Sequence, residues 1–439
     1  MRGVPQDVAH EALRLLLNQL KASVGATGHP AVKTLHEWAL AEPPGGSAVA
    51  AQTLWFGTRI TLANAAIVNG ALFEVLDFND TYIPTFMHAT SGVLPALLAL
   101  AEARHSSGHD IIQALALGLE VELACATILM PTGYYRGFVP GGLCGGVGAA
   151  AACSVLARLD PKRMRNALGL AMCTAFGTYE SVGSMALPYI MGLTARSGLT
   201  AFQLAERGFD APATAFEGEK GMLASYSNES ADKIESVLQS LGNTWRIHGQ
   251  SYKTVPTETI THAPIECVLN LRAVAGTRSI ERMTFAVQPL VVKIADERRE
   301  RFGNPTSELT ARFDLRYCAA AAWQRQRFTL AEMEETAYTD PNILSLRSRI
   351  DLIADPQRPT FDGCSLQIAY TDGSRESANV DAFLGSPGNR MSDEQLADVF
   401  RVAAAAALPP DRIEDLLAQV WKLPQAPGID SLLALSRFT

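Results

Sequence analysis

One stretch of the chain, residues 141–156, consists almost entirely of Gly, Ala and larger apolar side chains. A helix of this composition has no polar face, so it is stable only when it is buried in a bundle or in an interface. Its small side chains also let neighbouring backbones approach closely. The stretch is shorter than the roughly 20 apolar residues that a membrane-spanning helix needs. We therefore expect a multilayer helical domain and a large contact between two copies of the chain.

Apolar residues recur at helical spacing up to about residue 240. The segment 10–20 places four Leu residues on one helical face. The same spacing predicts further helices over residues 64–76, 93–104, 111–130, 145–158, 162–176, 191–207 and 233–241. Asp160 before Pro161 is typical of a helix start, and Gly208 is typical of a helix end.

The sequence pattern changes near Lys253. Strands are predicted over residues 283–288, 290–295, 350–353 and 364–370, the last followed by a hairpin turn at 371–374. Helices are predicted over residues 309–323, 330–337, 392–407 and 411–423. Strands mixed with helices indicate an α+β domain. The predicted fold class is mainly α, with a large all-helical domain of residues 1–252 and 392–439 and a smaller α+β domain of residues 253–391.

Composition narrows the class of protein. Of the 439 residues 48% are hydrophobic and 19% are charged, and the net charge is −8, which excludes a disordered chain. The lack of a basic run argues against nucleic acid as a partner. The seven Cys residues form no C-x-x-C pair, which argues against a disulfide framework and against structural zinc. Charged residues interrupt the first apolar stretch, so we expect no signal peptide, no membrane contact and a cytoplasmic location.

The strongest local signal for chemistry is the run Asp77–Thr81, followed by His88. It lies in a connection between two predicted apolar helices. A carboxylate, a hydroxyl and an imidazole gathered in one such connection can build a proton-transfer site. Ordinary helix capping explains Asp, Asn and Thr in this position equally well.

Two further segments could bind a ligand. His262 follows Lys253 at the predicted domain junction, where ligand clefts usually form, although a structural role for a single His is the commoner case. The Gly-rich segment 137–146 could cradle a phosphate, but it has no G-K-[ST] and no preceding strand, so close helix packing is favoured. The His residues form no H-E-x-x-H pair, and we predict no metal.

Taken together, these segments resemble the MmgE/PrpD family, which includes 2-methylcitrate dehydratase, cis-aconitate decarboxylase and iminodisuccinate epimerase. Asn69-Gly70 and Asp77–Thr81 resemble the family's N-G-x-x-x-H-x-x-D-F-D-D-T, with Glu74 at the position of the His. Residues 88–96 resemble its H-P-S-x-x-V-x-P-A. Two later segments resemble its G-F-T-G-P…E-G-x-x-G and G-x-P-x-N-P-M-S patterns, namely residues 207–221 and 385–392.

The resemblance implies a helical domain built from both chain ends, with the α+β domain inserted as a lid. It further implies a homodimer without a cofactor, and an active site in the cleft between the domains. The family's catalytic positions fall on Asp77, Thr81, His88 and His262.

Other family positions are changed in this chain. Val139 and Ile190 stand where the family has His, and Leu187 stands where it has Lys. Glu258 and Thr259 replace a Cys and an Arg. Because an unpaired buried carboxylate costs several kcal/mol, a pocket that has lost these cations should disfavour a substrate with two or three carboxylates.

The sequence therefore favours a cofactor-independent proton-transfer lyase or isomerase that acts on a small, relatively apolar, carbonyl-containing substrate, in specialised metabolism. The reaction could be dehydration, decarboxylation, a double-bond shift, epimerisation or cyclisation. His88 or His262 would move the proton, Asp77 would orient His88, and Thr81 would bind the substrate. The candidate substrate-binding residues are Val139, Leu187, Tyr189, Ile190, Lys253, Glu258 and Tyr135.

Two alternatives stay open. The first is a dicarboxylate or tricarboxylate dehydratase or decarboxylase of the usual family type, which would hold its anion with Arg136, Arg196 or Lys253. The second is a ligand-binding paralogue that has lost turnover. Joint retention of the four family catalytic positions, Asp77, Thr81, His88 and His262, argues against the second alternative.

Overall fold

A computed structural model describes residues 3–42, 49–273, 276 and 278–438. The chain divides into two compact units. Unit 1 comprises Met1–Gln250 and Ser392–Thr439, and unit 2 comprises Ser251–Met391. Unit 1 is mainly helical and unit 2 is α+β, so the predicted fold class is confirmed.

The helices follow in chain order. Unit 1 begins with α1 Gln6–Ser23, α2 Pro30–Leu40, α3 Leu62–Glu74, α4 Ala89–Ala103, α5 Gly108–Leu129, α6 Thr132–Tyr135, α7 Pro140–Leu156, α8 Pro161–Cys173, α9 Ala186–Glu206, α10 Met222–Tyr226 and α11 Ala231–Ser240. Unit 2 contains α12 His262–Arg272, α13 Pro289–Phe302, α14 Glu308–Arg312, α15 Leu315–Arg325, α16 Glu335–Tyr338 and α17 Pro341–Arg347. Unit 1 is completed by α18 Asp393–Ala404, α19 Pro410–Lys422 and α20 Asp430–Leu435.

The strands are β1 Ala50–Gln52, β2 Arg59–Thr61, β3 Thr81–Tyr82, β4 Gln250–Ser251, β5 Ile280–Val287, β6 Ile350–Ala354, β7 Cys364–Tyr370 and β8 Arg375–Val380. In unit 2 four of them form a sheet in the order β6-β5-β7-β8. The β5–β6 pair is parallel, and the β5–β7 and β7–β8 pairs are antiparallel. Alternate residues of β5, among them Met283 and Phe285, are buried beneath this sheet with Leu366 and Ile368 of β7.

Helix α7 forms the centre of unit 1 and packs against α4, α5, α8 and α9. Glycines allow these helices to approach closely. A Cβ added at Gly198 of α9 would lie 2.4 Å from the carbonyl oxygen of Gly146 in α7, and one at Gly192 would lie 2.2 Å from that of Ile67 in α3. Because the two backbones nearly touch, no larger residue fits at either position. The Gly-rich segment therefore serves helix packing.

Helix α5, with 22 residues, is the one helix in the described ranges that is long and apolar enough to cross a membrane. Its most apolar stretch of 18 residues has a mean hydropathy of 1.7, but 78% of that stretch is buried inside the protein. A buried helix in the centre of a bundle needs no polar face, which accounts for its composition.

Two predicted elements of unit 2 are wrong. Residues 290–295, predicted as a strand, belong to helix α13. Gln288 caps this helix by accepting the N–H of Leu290, and Val291, Ile294 and Arg298 are buried at helical spacing. The predicted helix 309–323 is two helices, because Asp314 accepts the N–H of Tyr317 and starts a new helix.

Candidate active site

A single connection between α3 and α4 contains Asp77, Thr81 and His88. Asp77 lies shortly after the end of α3 in a left-handed backbone conformation (φ +47°), and its N–H donates to the carbonyl oxygen of Glu74, the last residue of that helix. Two backbone hydrogen bonds between Tyr82 and Met87 then fold the chain back on itself. This turn brings Thr81 beside His88, which is the N-cap residue of α4. Three of the four predicted catalytic residues are thus gathered in one place.

The hydrogen bonds of His88 define which ring nitrogen is available. Nδ1 lies 2.8 Å from the backbone carbonyl oxygen of Asp80 and 3.2 Å from Oγ1 of Thr81. A carbonyl oxygen can only accept, so Nδ1 carries the hydrogen in the neutral imidazole and Nε2 carries the lone pair. Asp77 Oδ1 lies 3.8 Å from Nε2, which is too far for a hydrogen bond but close enough to stabilise a positive charge. The carbonyl oxygen of Asp80 thus bonds to one ring nitrogen of His88, and Asp77, which the sequence predicts to orient His88, faces the other.

Asp80 is fully buried beside this imidazole. Its Oδ1 accepts a hydrogen bond from Nε2 of Gln19 at 2.7 Å, and its Oδ2 accepts one from the N–H of Thr90 at 3.3 Å. Burial raises the pKa of the Asp80 carboxyl, and the bonds to Thr90 offset only part of that rise. The sequence analysis missed Asp80 and Gln19 as site residues, although Asp80 belongs to the run that pointed to the site.

Glu122 of α5 is a second fully buried carboxyl. Neither of its oxygens has a hydrogen-bond partner among the residues that the structure describes. Cβ atoms built on Gly92, Gly145 and Gly148 would each lie 3.5 Å or less from its side chain, so it occupies a space that three glycines leave open. Burial raises the pKa of Glu122 well above its ordinary value, and the neighbouring Asp80 raises it further.

Two of the positions where this chain lacks a family His, Val139 and Ile190, lie around Gly177. Val139 donates its N–H to the carbonyl oxygen of Gly177 at 3.0 Å. Ile190 Cγ2 lies 3.1 Å from where a Cβ on Gly177 would be. Both side chains are buried, whereas Leu187, one turn earlier in α9, is half-buried. The changes from His to aliphatic residues therefore make one local surface apolar.

Aromatic rings continue this apolar surface towards the turn that carries His88. The ring of Tyr134 lies 5.3 Å from that of Phe86, which belongs to the turn, and 4.9 Å from that of Tyr179. The hydroxyl of Tyr134 donates to that of Tyr179 at 3.3 Å. Two tyrosines are predicted to bind substrate. The ring centre of Tyr135 lies 5.8 Å from that of Tyr134, and its side chain is 60% exposed. Tyr189 is 40% exposed.

Unit 2 contains the remaining predicted site residues. Glu258 forms an ion pair with Arg298, whose guanidinium also lies 5.0 Å from the ring of Phe313. The negative charge of Glu258 is therefore compensated within unit 2. His262 is buried, with Nε2 3.3 Å from the carbonyl oxygen of Thr257, and Lys253 is fully buried. Across the described residues, no three His, Cys, Asp or Glu side chains are grouped so that they could hold a metal ion.

Comparison with known proteins covers nearly the whole chain. The model of the MmgE/PrpD N-terminal domain matches residues 1–235, and that of the C-terminal domain matches residues 255–423. A cis-aconitate decarboxylase from Homo sapiens is 28% identical over 84% of this chain and 79% of its own length. One from Aspergillus terreus is 24% identical over 98% of this chain and 92% of its own length. The cis-aconitate decarboxylase-like protein oryM from Aspergillus oryzae is 24% identical over 98% of this chain and 93% of its length.

Proposed function

Because the chain belongs to the MmgE/PrpD family, we propose that it is a proton-transfer enzyme of the lyase type in which His88 is the general base. The observation that carries this proposal is the hydrogen bond from His88 Nδ1 to the carbonyl oxygen of Asp80. It leaves Nε2 with a free lone pair, on the side chain of a residue that is partly exposed. Relatives named for a decarboxylase support the lyase class. An isomerase would need the same base.

In the proposed mechanism Nε2 of His88 removes a proton next to the substrate's carbonyl group. The imidazolium that forms lies 3.8 Å from the carboxylate of Asp77. Opposite charges about 4 Å apart attract by about 4 kcal/mol at an effective dielectric constant near 20. This attraction develops only as the proton moves, so it lowers the barrier more than it stabilises the ground state. The imidazolium then returns its proton to the product or to the leaving group.

The substrate that we infer is less anionic than cis-aconitate. Val139 and Ile190 replace imidazoles with aliphatic side chains, and the rings of Phe86 and Tyr134 extend the apolar surface. A tricarboxylate would leave carboxylates without cationic partners against such a surface, at a cost of several kcal/mol. A compound with a carbonyl group and at most one carboxylate fits it better.

One observation favours the second candidate, a dicarboxylate or tricarboxylate lyase. Arg196 of α9 is partly exposed and makes neither a hydrogen bond nor an ion pair within the described ranges. Arg136, by contrast, donates to the carbonyl oxygen of Ser225 and to Oδ1 of Asn228, so it is already engaged. Arg196 could therefore hold one carboxylate of an anionic substrate.

Proton NMR in D2O separates the two candidates. The purified protein is incubated with cis-aconitate and, separately, with α-keto and α,β-unsaturated monocarboxylic acids, and loss of the proton signal next to the carbonyl is followed. We expect turnover of a monocarboxylic acid, and His88→Gln should reduce it by about 10²- to 10⁴-fold. His109→Gln, at an exposed position in the first turn of α5, is the matched control. Full turnover by His88→Gln would exclude His88 as the base, and turnover of cis-aconitate alone would favour the second candidate.

Three further properties belong to the proposal. We infer that the enzyme is a homodimer, that it works without a cofactor and that it acts in the cytoplasm. The family resemblance supports the first two. The burial of α5 within unit 1 supports the third.

A further inference from the structure

Asp80 is the residue near His88 for which the proposed reaction has no direct use. It is fully buried, and its side chain does not contact the reactive Nε2 atom of the imidazole. Nevertheless its backbone and its side chain both bond to groups that determine how His88 is held.

Asp80 holds His88 in two ways. Its backbone carbonyl oxygen accepts the Nδ1–H of the imidazole at 2.8 Å. Its carboxyl group accepts the N–H of Thr90, in the first turn of α4, and His88 is the N-cap residue of that helix without a capping bond from its own side chain. Asp80 therefore supplies the cap that His88 does not provide, and it fixes both the ring of His88 and the helix start that carries it.

The carboxyl group of Asp80 is anchored from the other side by α1. Gln19 donates its Nε2–H to Oδ1 at 2.7 Å, and both residues are fully buried. Oε1 of Gln19 has no hydrogen-bond partner among the described residues. Because the two ends of an amide are assigned from their hydrogen bonds, a flipped Gln19 would offer this oxygen to an Asp80 O–H.

These surroundings suit an uncharged carboxyl group. No Lys or Arg forms an ion pair with Asp80 within the described part of the chain, and the other carboxyl next to it is the buried Glu122. Burial raises the pKa of both carboxyl groups and so favours their uncharged forms, and the charge of His88 offsets part of that rise at Asp80. Asp77 is the carboxyl group that faces the reactive nitrogen of His88, with Oδ1 3.8 Å from Nε2.

We propose that Asp80 is a positioning residue for His88, whose anchored carbonyl oxygen selects the Nδ1–H tautomer and so presents Nε2 for proton transfer. The inference rests on the proposed role of His88 as the general base. The side chain of Asp80 acts on His88 through hydrogen bonds and not through charge.

The test reads the tautomer of His88 directly, in resting protein and without a substrate. The protein is labelled with ¹⁵N-histidine, the His88 resonances are assigned by their loss in His88→Gln, and the two ring nitrogens are distinguished by their chemical shifts at alkaline pH. We expect Nδ1 protonated and Nε2 unprotonated in the wild-type protein. Asp80→Asn should give the same tautomer, because an amide replaces a neutral carboxyl group without loss of hydrogen bonds. Asp80→Ala should give a mixture of tautomers and, with an active substrate, about 10²-fold lower kcat/KM at an unchanged fold.

Controls keep the result interpretable. Asp232→Asn, at an exposed position of α11, should leave the His88 resonances unchanged. If Asp80→Ala does not fold, Gln19→Leu removes the anchor of the carboxyl group and should produce the same mixture. The proposal is overturned if wild-type His88 carries its proton on Nε2, if Asp80→Asn alters the tautomer, or if neither Asp80→Ala nor Gln19→Leu does so. Turnover by His88→Gln would instead overturn the proposed function and leave the tautomer result standing.

Discussion

Nδ2 of Asn79 donates a hydrogen bond to Oε2 of Glu74 at 2.6 Å, between two buried side chains. Both residues depart from the family pattern N-G-x-x-x-H-x-x-D-F-D-D-T, which has His at the position of Glu74 and Asp at that of Asn79. The two departures therefore meet at one contact in this chain, where a carboxylate accepts from an amide.

This contact predicts strong coupling between the two substitutions. Glu74→His alone loses the acceptor for Asn79, and Asn79→Asp alone places two buried carboxyls in contact, so each should lower the free energy of unfolding by about 1–3 kcal/mol. The double variant restores complementary partners and should recover at least about 1 kcal/mol relative to the sum of the single variants. Urea unfolding of the four proteins measures this coupling. Additive effects would show that the two positions changed independently.

The local parts of this fold were accessible from the sequence. Helical spacing predicts the helices of unit 1 because their apolar residues recur at a constant period, as in α1. The change of texture near Lys253 pointed to a boundary there, and the compact units divide between Gln250 and Ser251. Residues 290–295 are wrongly predicted as a strand because the segment is rich in β-branched residues. The helical spacing of its buried residues becomes visible only when Arg298 is included.

The candidate site was accessible only where it is contiguous in sequence. Asp77, Thr81 and His88 lie in one connection, so their types and order were enough to propose proton transfer. Gln19 and Glu122, in contrast, come from α1 and α5 and reach Asp80 through the packing of the bundle. Neither residue belongs to a recognisable sequence motif. The sequence around a Glu in an apolar helix does not indicate that its carboxyl group will be buried beside another one.

The identity of the substrate should respond to the family positions that this chain has changed. Leu187→Lys combined with Val139→His restores a cation and an imidazole close to Ile190. If the local geometry of the family has survived, the affinity for cis-aconitate should rise about tenfold or more, as expected for one charge-assisted hydrogen bond. Isothermal titration with cis-aconitate measures this gain. Met185→Lys, which adds the same charge at an exposed position just before α9, is the control and should give no gain.

The close approach of α3 and α9 makes a prediction for stability. Gly192→Ala places a Cβ 2.2 Å from the carbonyl oxygen of Ile67, and the backbones must separate to admit it. We expect a loss of about 1–3 kcal/mol in the free energy of unfolding. Gly28→Ala is the matched control, because its Cβ would meet no atom within 4 Å, and it should be neutral or slightly stabilising. Equal stabilities of the two variants in urea unfolding would contradict the close-packed contact.

The buried carboxyl of Glu122 makes the last prediction, which concerns pH. Its raised pKa means that the folded protein keeps this proton while the unfolded chain releases it above about pH 4.5. The contribution of Glu122 to stability is therefore fully present at acidic pH and falls as pH rises towards the folded pKa, by up to about 1.4 kcal/mol per pH unit. Glu122→Gln removes this dependence, so its stability relative to the wild-type protein should increase as the pH rises above about 5, in urea unfolding at each pH. The exposed Glu219→Gln should show no such trend. A Glu122→Gln difference that does not change with pH would mean that Glu122 is ionised in the folded protein.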